Sequence, residues 1–355
     1  MNILLTGGGT GGHVIPLIAV AAELRKARKD SKLFWIGGGR GPEAQTAGEH
    51  NIAFEKVIVG KFRRYFSFYN LTDFFKIPIG VFQSFFLILG FKPDVVFSKG
   101  GYVSLPVIIA AFLLRKKIII HESDLKPGLA NRIGAKFAHK VLLGFKSGET
   151  KEKKFVFTGN PVRKEILHAD REGAYRFFKL DSQKKIILIL GGSQGARFIN
   201  RLIAKAQKDL EEYQIIHLVG PKYSLPEKED HYKPYNWLDA ENVGQAYTVA
   251  QLVVARAGAN TLAEIAVSHR PSILIPFPFS SADHQLLNAK VFEKEGASVV
   301  LEQENLSGKK LIKVIKGLFG DQGRLEEMGL QAKKLAQPDA TDRIVSILIK
   351  ACENA

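Results

Sequence analysis

Short apolar runs bounded by glycine or polar clusters alternate along the chain with longer stretches in which apolar residues return at helical spacing. The runs lie at 2–6, 32–37, 94–97, 117–121, 140–143 and 155–158, and the stretches between them include helices at 14–29 and 127–138. This alternation predicts a doubly wound parallel sheet. The segment Gly159-Asn160-Pro161-Val162-Arg163 breaks the rhythm and reads as a hinge. A second series follows, with strands near 185–190, 214–219, 251–255 and 272–275 and helices near 196–209, 259–268 and 283–295. Pro338 punctuates the last helical region, after which Ala340 to Lys350 reads as a final helix. The expected fold class is therefore α/β, with two Rossmann-like doubly wound parallel-sheet domains facing across a cleft. The first covers 1–163 and is completed by a C-terminal helix at about 338–355; the second covers 164–337.

The first strand of each series runs straight into a glycine cluster and then a helix, at 3–13 (ILLTGGGTGGH) and 186–197 (IILILGGSQGAR). Such a loop lets backbone N–H groups approach phosphate oxygens closely, and the following helix start supplies about half a positive charge. The first loop fits G-x-G-x-x-G through Gly7, Gly9 and Gly12. A dinucleotide site also wants an acid at the end of the second strand, whereas KLFWI ends in Gly37, Gly38 and Gly39. Arg40 leaves an NADP site as a weaker alternative. No Lys-Ser/Thr pair follows either loop, which excludes a P-loop nucleotidase.

With 355 residues, 46% of them hydrophobic, the chain is long enough for two cores. Its single cysteine, Cys352, excludes a disulfide framework and a cysteine-based metal site and suits a reducing compartment. The first strand begins at Asn2-Ile3 without a basic leader, and the apolar run at 77–91 is too short and interrupted to span a bilayer. The expected location is the cytoplasmic side of the membrane.

Charge changes the picture more than composition does. The net charge of +16 is concentrated in residues 1–163, which hold 25 Lys/Arg against 11 Asp/Glu, while the remainder holds 26 against 24. A basic half can meet nucleic acid, an anionic membrane or an acidic substrate. The stretch 61–91 sets Lys61, Arg63 and Arg64 among eleven aromatic residues, a mixture that suits a lipid interface. With no RNP-like motif present, nucleic acid is not expected as a partner. Lys61, Phe62, Arg63, Arg64, Phe66 and Phe68 are the expected membrane-facing residues, and 77–91 also has a plain reading as a buried helix on the sheet.

Eight motifs then occur in a single order: GGGTGGHVIP, KPDVVFSKGGYVS, HESDLKPGLAN, GNPVR, GGSQGAR, RAGANTLAEIA, DHQLLNA and PDAT. In these the chain resembles the MurG family of glycosyltransferases over nearly its whole length. The resemblance implies the GT-B architecture and the inverting transfer of N-acetylglucosamine from its UDP donor to the muramyl C4 hydroxyl of lipid I, making lipid II for the cell wall. The implied partners are UDP-N-acetylglucosamine, lipid I, an anionic membrane surface and other proteins of cell-wall synthesis. The implied place is peripheral on the cytoplasmic face of the membrane.

A UDP-sugar needs its diphosphate neutralised, its ribose diol gripped and its sugar hydroxyls read. Arg256 to Glu264 is a loop entering a helix, so backbone N–H groups at Ala259, Asn260, Thr261 and Leu262 and the Thr261 hydroxyl can meet the diphosphate. The resemblance gives Glu264 the ribose diol and Gln285 the sugar hydroxyls, with Asn288 beside it. It also carries donor contacts to Thr10, Gly11, Gly12, Asp124, Arg163 and Ser193, and a uracil contact to Leu238. The acceptor pyrophosphate fits Thr10, Gly11, Gly12, His13 and the second loop Gly100-Gly101-Tyr102, where a buried glycine turn is the bland alternative but two adjacent glycines at a strand end favour close approach of a ligand. Inversion asks for one base and a stabiliser of departing UDP. His13, of a residue type whose ordinary titration range is near neutrality, reads either as that base or as a donor to phosphate, and Glu122 is the rival base. No Asp-x-Asp motif is present, so neither a metal nor any other cofactor is expected.

Overall fold

The computed structural model describes residues 1–39, 41–60, 68–146 and 152–354, with the backbone alone at 68–72 and 74. The chain divides into two compact units, Met1–Pro161 with Asp339–Ala355, and Val162–Pro338. Unit 1 holds strands β1 (Asn2–Thr6), β2 (Lys32–Gly37), β3 (Ala53–Lys56), β4 (Val95–Ser98), β5 (Lys117–Glu122), β6 (Lys140–Leu143) and β7 (Phe155–Phe157). They form one parallel sheet in the order β3-β2-β1-β4-β5-β6-β7. Unit 2 holds β8 (Ile186–Leu190), β9 (Gln214–Leu218), β10 (Tyr232–Tyr235), β11 (Leu252–Ala255), β12 (Ser272–Leu274) and β13 (Ser298–Val300). These are again all parallel, in the order β10-β9-β8-β11-β12-β13.

Each sheet is built outward from a central strand that is apolar and buried, because helices cover both faces of a parallel sheet. All five residues of β8 are buried, as are Ile3, Leu4 and Leu5 of β1. The fully buried Trp35 on β2 also spends its indole N–H on the Gly7 carbonyl at 3.1 Å, tying the start of the first glycine loop to the sheet. Helix Ala340–Glu353 returns to unit 1, where Ile344, Val345 and Leu348 join Ile3, Leu5, Leu17 and Val20 in one core cluster.

Three strands absent from the sequence reading, β3, β10 and β13, are all edge strands. An edge strand is short and half solvated, so its apolar signal is weak; β10 even carries Pro234, which an edge tolerates because one side of its backbone needs no partner.

In both sheets the order reverses beside the first strand, between β1 and β4 and between β8 and β11. At such a switch point the connections leave in opposite directions and open a crevice at the carboxyl ends of the strands. Register brings the loops level: Thr6 stands opposite Ser98, and Leu190 opposite Ala255. The four motif loops, 7–12, 99–102, 191–196 and 256–258, are thereby sorted into one pair per unit.

Candidate functional site

In unit 1 the first glycine loop ends at Thr10, the extended residue that precedes helix Gly11–Ala27. Thr10 and Gly12 are exposed, and His13 is half-buried one residue further on. The His13 Nδ1 lies 3.1 Å from the Lys99 carbonyl oxygen. A carbonyl only accepts, so Nδ1 carries the proton and the lone pair of the neutral ring belongs to Nε2. The ring lies against Gly101, where an added Cβ would come within 3.2 Å of His13 Cδ2 and 2.8 Å of the Gly8 carbonyl oxygen. At Gly100 a Cβ would meet the Asn131 amide at 2.5 Å, and both glycines have φ near +80°, at +84° and +83°. The fold itself therefore requires the Gly100-Gly101 pair. Their conformation brings the two loops of unit 1 into contact through His13.

Beneath these loops lies a buried charged cluster of which the sequence reading named only Glu122 and Asp124 and missed Lys99 and His121. Lys99, 1% exposed, directs its Nζ to His121 Nδ1 at 2.9 Å and to the Ser123 hydroxyl. The His121 Nε2–H donates to the Gly159 carbonyl at 2.9 Å, so His121 is held as one neutral tautomer, its pKa driven well down by burial and by Lys99. Burial lowers Lys99 to about 8, against the pull of Glu122 and Asp124. Glu122 does not have the setting of a base: one oxygen accepts the Asp124 N–H at 3.0 Å, and the other accepts the Gly128 N–H at 3.1 Å and the Asn131 amide at 2.9 Å. Only 5% exposed, with burial raising its pKa, it anchors the turn from Ser123 to Gly128. Asp124 lies half-buried on that turn. Lys99 was legible only as a lysine inside an otherwise apolar strand end.

In unit 2 helix Ala259–Val267 begins after Gly258, with no acidic residue in its first turn to compete with an anion. Asn260 and Thr261 are half-buried, whereas Ala259 and Leu262 have buried side chains. The Leu262 N–H donates to the Gly258 carbonyl at 3.0 Å, so this residue is given to the helix and its packing, not to a ligand. Arg256, also buried, clamps the loop by donating to the carbonyls of Ile275 and Pro276 at 3.0 Å each and to Gln303 at 2.7 Å; burial pushes it down to about 10. Asn288 is fully buried and its amide donates to the Ala257 carbonyl at 3.4 Å, which makes it a support of the same loop instead of a surface for a sugar.

Glu264 stands one turn into that helix, with Arg163 3.1 Å from one oxygen and the Tyr247 hydroxyl 3.2 Å from the other. Gln285 is half-buried and accepts the Phe277 N–H at 3.0 Å. It follows two consecutive left-handed residues that are not glycine, Ala282 at φ 57° and Asp283 at φ 55°. Such backbone costs about 1–2 kcal/mol per residue, a strain more often kept at binding sites than elsewhere. Ser193 is exposed on the glycine loop after β8. Leu238 is buried, just ahead of helix Ala240–Val249, so its side chain serves packing and only its backbone is available to a base. Among the described residues no group of three or more His, Cys, Asp and Glu side chains is placed to hold a metal ion.

Of the expected membrane-facing residues, Lys61, Phe62, Arg63, Arg64 and Phe66 lie outside the described residues, as does Arg40, and Phe68 is described by its backbone alone. The reading of 77–91 as a helix buried on the sheet holds for one face only, where Ile88 lies in the core with Val81, Phe85 and Phe91 packed against it. Helix Phe68–Phe91 buries Ser84 and Ile88 but exposes Phe75, Ile79, Phe82, Phe86 and Leu89, a stripe at spacings of three and four. Phe112 and Leu113 of helix Ser104–Leu113 are exposed as well. An open groove of about 520 Å³ runs between the two helices, lined by Ile77, Pro78, Val81, Phe85, Ile109 and Leu113 among others. Among the described residues no helix is long and apolar enough to cross a membrane.

Two Rossmann-like units, each with paired loops at its switch point, are the GT-B fold. The model of the glycosyltransferase family 28 N-terminal domain matches residues 3–143, and that of the family's C-terminal domain matches 186–344. The chain belongs to glycosyltransferase family 28. It is 39% identical to the UDP-N-acetylglucosamine–N-acetylmuramyl-(pentapeptide) pyrophosphoryl-undecaprenol N-acetylglucosamine transferase of Halothermothrix orenii, over 98% of each chain. It is also 39% identical to the enzyme of the same name from Clostridium perfringens, over 89% of this chain and 90% of that one. The crystal structure of Acinetobacter baumannii MurG superposes with a TM-score of 0.76 at 28% identity, covering 98% of this chain and 99% of that one. A UDP-N-acetylglucosamine 2-epimerase from Neisseria meningitidis, bound to UDP-N-acetylglucosamine, shares the fold at a TM-score of 0.68 and 14% identity, with 99% of this chain and all of that one covered.

Proposed function

We propose that the chain transfers N-acetylglucosamine from UDP-N-acetylglucosamine to the muramyl C4 hydroxyl of undecaprenyl-pyrophosphoryl-muramyl-pentapeptide, a step of peptidoglycan synthesis. The observation that carries this reading is the match, over 98% of both chains, to a relative named for that reaction. An NADP oxidoreductase or a binding module without catalysis has no comparable support. The test is turnover of UDP-N-acetylglucosamine with and without the lipid-linked acceptor. UDP release that depends on the acceptor is the expected result, and release indifferent to it would reject the assignment.

In the mechanism we propose, His13 Nε2 takes the proton of the acceptor hydroxyl as that oxygen attacks the anomeric carbon. The C–O bond to UDP breaks in the same displacement, which inverts the centre. The Lys99 carbonyl, by holding Nδ1–H, fixes the tautomer that leaves Nε2 able to accept. Departing UDP gathers negative charge, which the first turn of Ala259–Val267 and the loop carrying Ser193 stabilise through backbone N–H groups. Glu264 grips the ribose diol and Gln285 the sugar hydroxyls. Thr10, Gly12 and Tyr102 meet the acceptor's pyrophosphate.

Since charge is met by peptide dipoles in this reading, no cofactor is required, and EDTA is expected to leave most of the activity. Complete loss restored by magnesium or manganese would contradict it.

The exposed stripe of helix Phe68–Phe91, with Phe112 and Leu113, supports a membrane-docking face for the basic first half, peripheral on the cytoplasmic leaflet where the lipid acceptor resides. Shallow insertion of aromatic side chains beside basic residues is enough for reversible anchoring. Replacing Phe82 and Phe86 together with Ser is expected to lower binding to anionic vesicles and turnover of the membrane-embedded acceptor at least severalfold. Activity on a short-chain soluble acceptor is expected to stay near wild type. Equal loss with both acceptors would mean that the stripe serves folding instead.

A further inference from the structure

We infer that Tyr247 is a positioning residue of the donor site, its phenol fixing the Glu264 carboxylate in the orientation that accepts both hydroxyls of a vicinal diol on the nucleotide ribose. The inference rests on the reading of Glu264 given above and extends it to a residue that meets no ligand itself. Tyr247 is wholly buried in helix Ala240–Val249, and its hydroxyl donates to Glu264 Oε2 at 3.2 Å. Burial, reinforced by the Glu264 charge, drives the phenol's pKa well above its ordinary value, so it remains a donor wherever the protein is folded.

The second Glu264 oxygen accepts from Arg163 at 3.1 Å, so each oxygen is tethered by a donor from a different segment. A carboxylate offers about four acceptor positions, two on each oxygen. One tether per oxygen stops rotation about the terminal bond and leaves one position on each oxygen, the number that two neighbouring hydroxyls require. A glutamate held at one oxygen alone would still turn.

The tethers share a rigid base. Gly244, nearly one turn before Tyr247, lies so close to helix Lys164–Leu167 that an added Cβ would come within 2.3 Å of the Glu165 carbonyl oxygen. Arg163 is the extended residue immediately before that helix. The spacing between the phenol and the guanidinium is thus set by backbone contact, which is what a fixed carboxylate orientation needs.

The test is Tyr247→Phe, which keeps the ring and its packing. Binding of UDP and of 2′,3′-dideoxy-UDP would be measured by calorimetry on wild type, Tyr247→Phe, Glu264→Ala and the double variant, with melting temperatures alongside. Loss of the phenol tether lets the Glu264 carboxylate turn, and UDP binding is expected to weaken about five- to tenfold in Tyr247→Phe, the effect of one ordinary hydrogen bond. Dideoxy-UDP binding should be unchanged, so the preference for UDP shrinks by the same factor. In the Glu264→Ala background the phenylalanine should have no further effect on UDP, because the residue through which Tyr247 acts is gone. Equal weakening of both nucleotides, or additive losses in the double variant, would make Tyr247 a packing residue and overturn the inference while leaving Glu264 in its role. A wild type that binds UDP and dideoxy-UDP equally would overturn the Glu264 reading as well.

Discussion

Replacing His13 by alanine is expected to lower kcat by about 10²–10⁴, the range for a positioned general base, while UDP binding to unit 2 stays at its wild-type value. The change costs unit 1 about 1–3 kcal/mol, since a hydrogen bond to the carbonyl of the buried Lys99 is lost. A pH profile separates this role from phosphate binding. A base must be unprotonated, so wild-type kcat falls as pH drops through the pKa of the acting group, and that limb should disappear from the residual activity of the variant. If the alanine variant instead raises the acceptor KM with kcat retained, His13 is a donor to the pyrophosphate. Glu122→Gln supplies the contrast: the carboxylate holds a turn through three accepted hydrogen bonds, so its loss should appear first as a lower melting temperature.

The sequence made the interior strands plain because a parallel sheet covered on both faces has to be apolar throughout, as β8 and β11 are. Three of the four edge strands escaped for the converse reason: β3 reads AFEK and β10 reads YKPY, and neither stands out from loop sequence. The glycine loops located both switch points, since the need for positive φ and close backbone approach is written in the residue type itself. What remained hidden was the division of labour among polar residues. Nothing in the motif RAGANTLAEIA separates Thr261, half-buried at a helix start, from Leu262, whose N–H and side chain are both taken by the fold. Likewise DHQLLNA does not tell that Asn288 faces inward to the Ala257 carbonyl while Gln285 is partly open. Tyr247 and Lys99 were invisible for the same reason, because their importance comes from partners distant in the chain.

Glu264→Ala is expected to raise the KM for UDP-N-acetylglucosamine by about 5- to 150-fold, the equivalent of 1–3 kcal/mol in hydrogen bonds to a charged group, with a much smaller change in the acceptor KM. The size of the effect has two sources that act in one direction. The ribose diol loses its acceptors, and Arg163 and Tyr247 lose the group that neutralises and satisfies them. The second source predicts a fall in stability as well, because Arg163 is left only 20% exposed and without its ion pair. Glu264→Gln separates the two. Its amide oxygen can still accept from one tether, so much of the stability returns, but an amide presents one acceptor oxygen where the diol asks for two, and donor KM should stay raised. An alanine variant with unaltered donor KM would remove Glu264 from the binding site and reduce the Arg163–Glu264–Tyr247 cluster to a brace between helices. A glutamine variant that restores stability and donor KM together would mean that the carboxylate acts through the tethers alone.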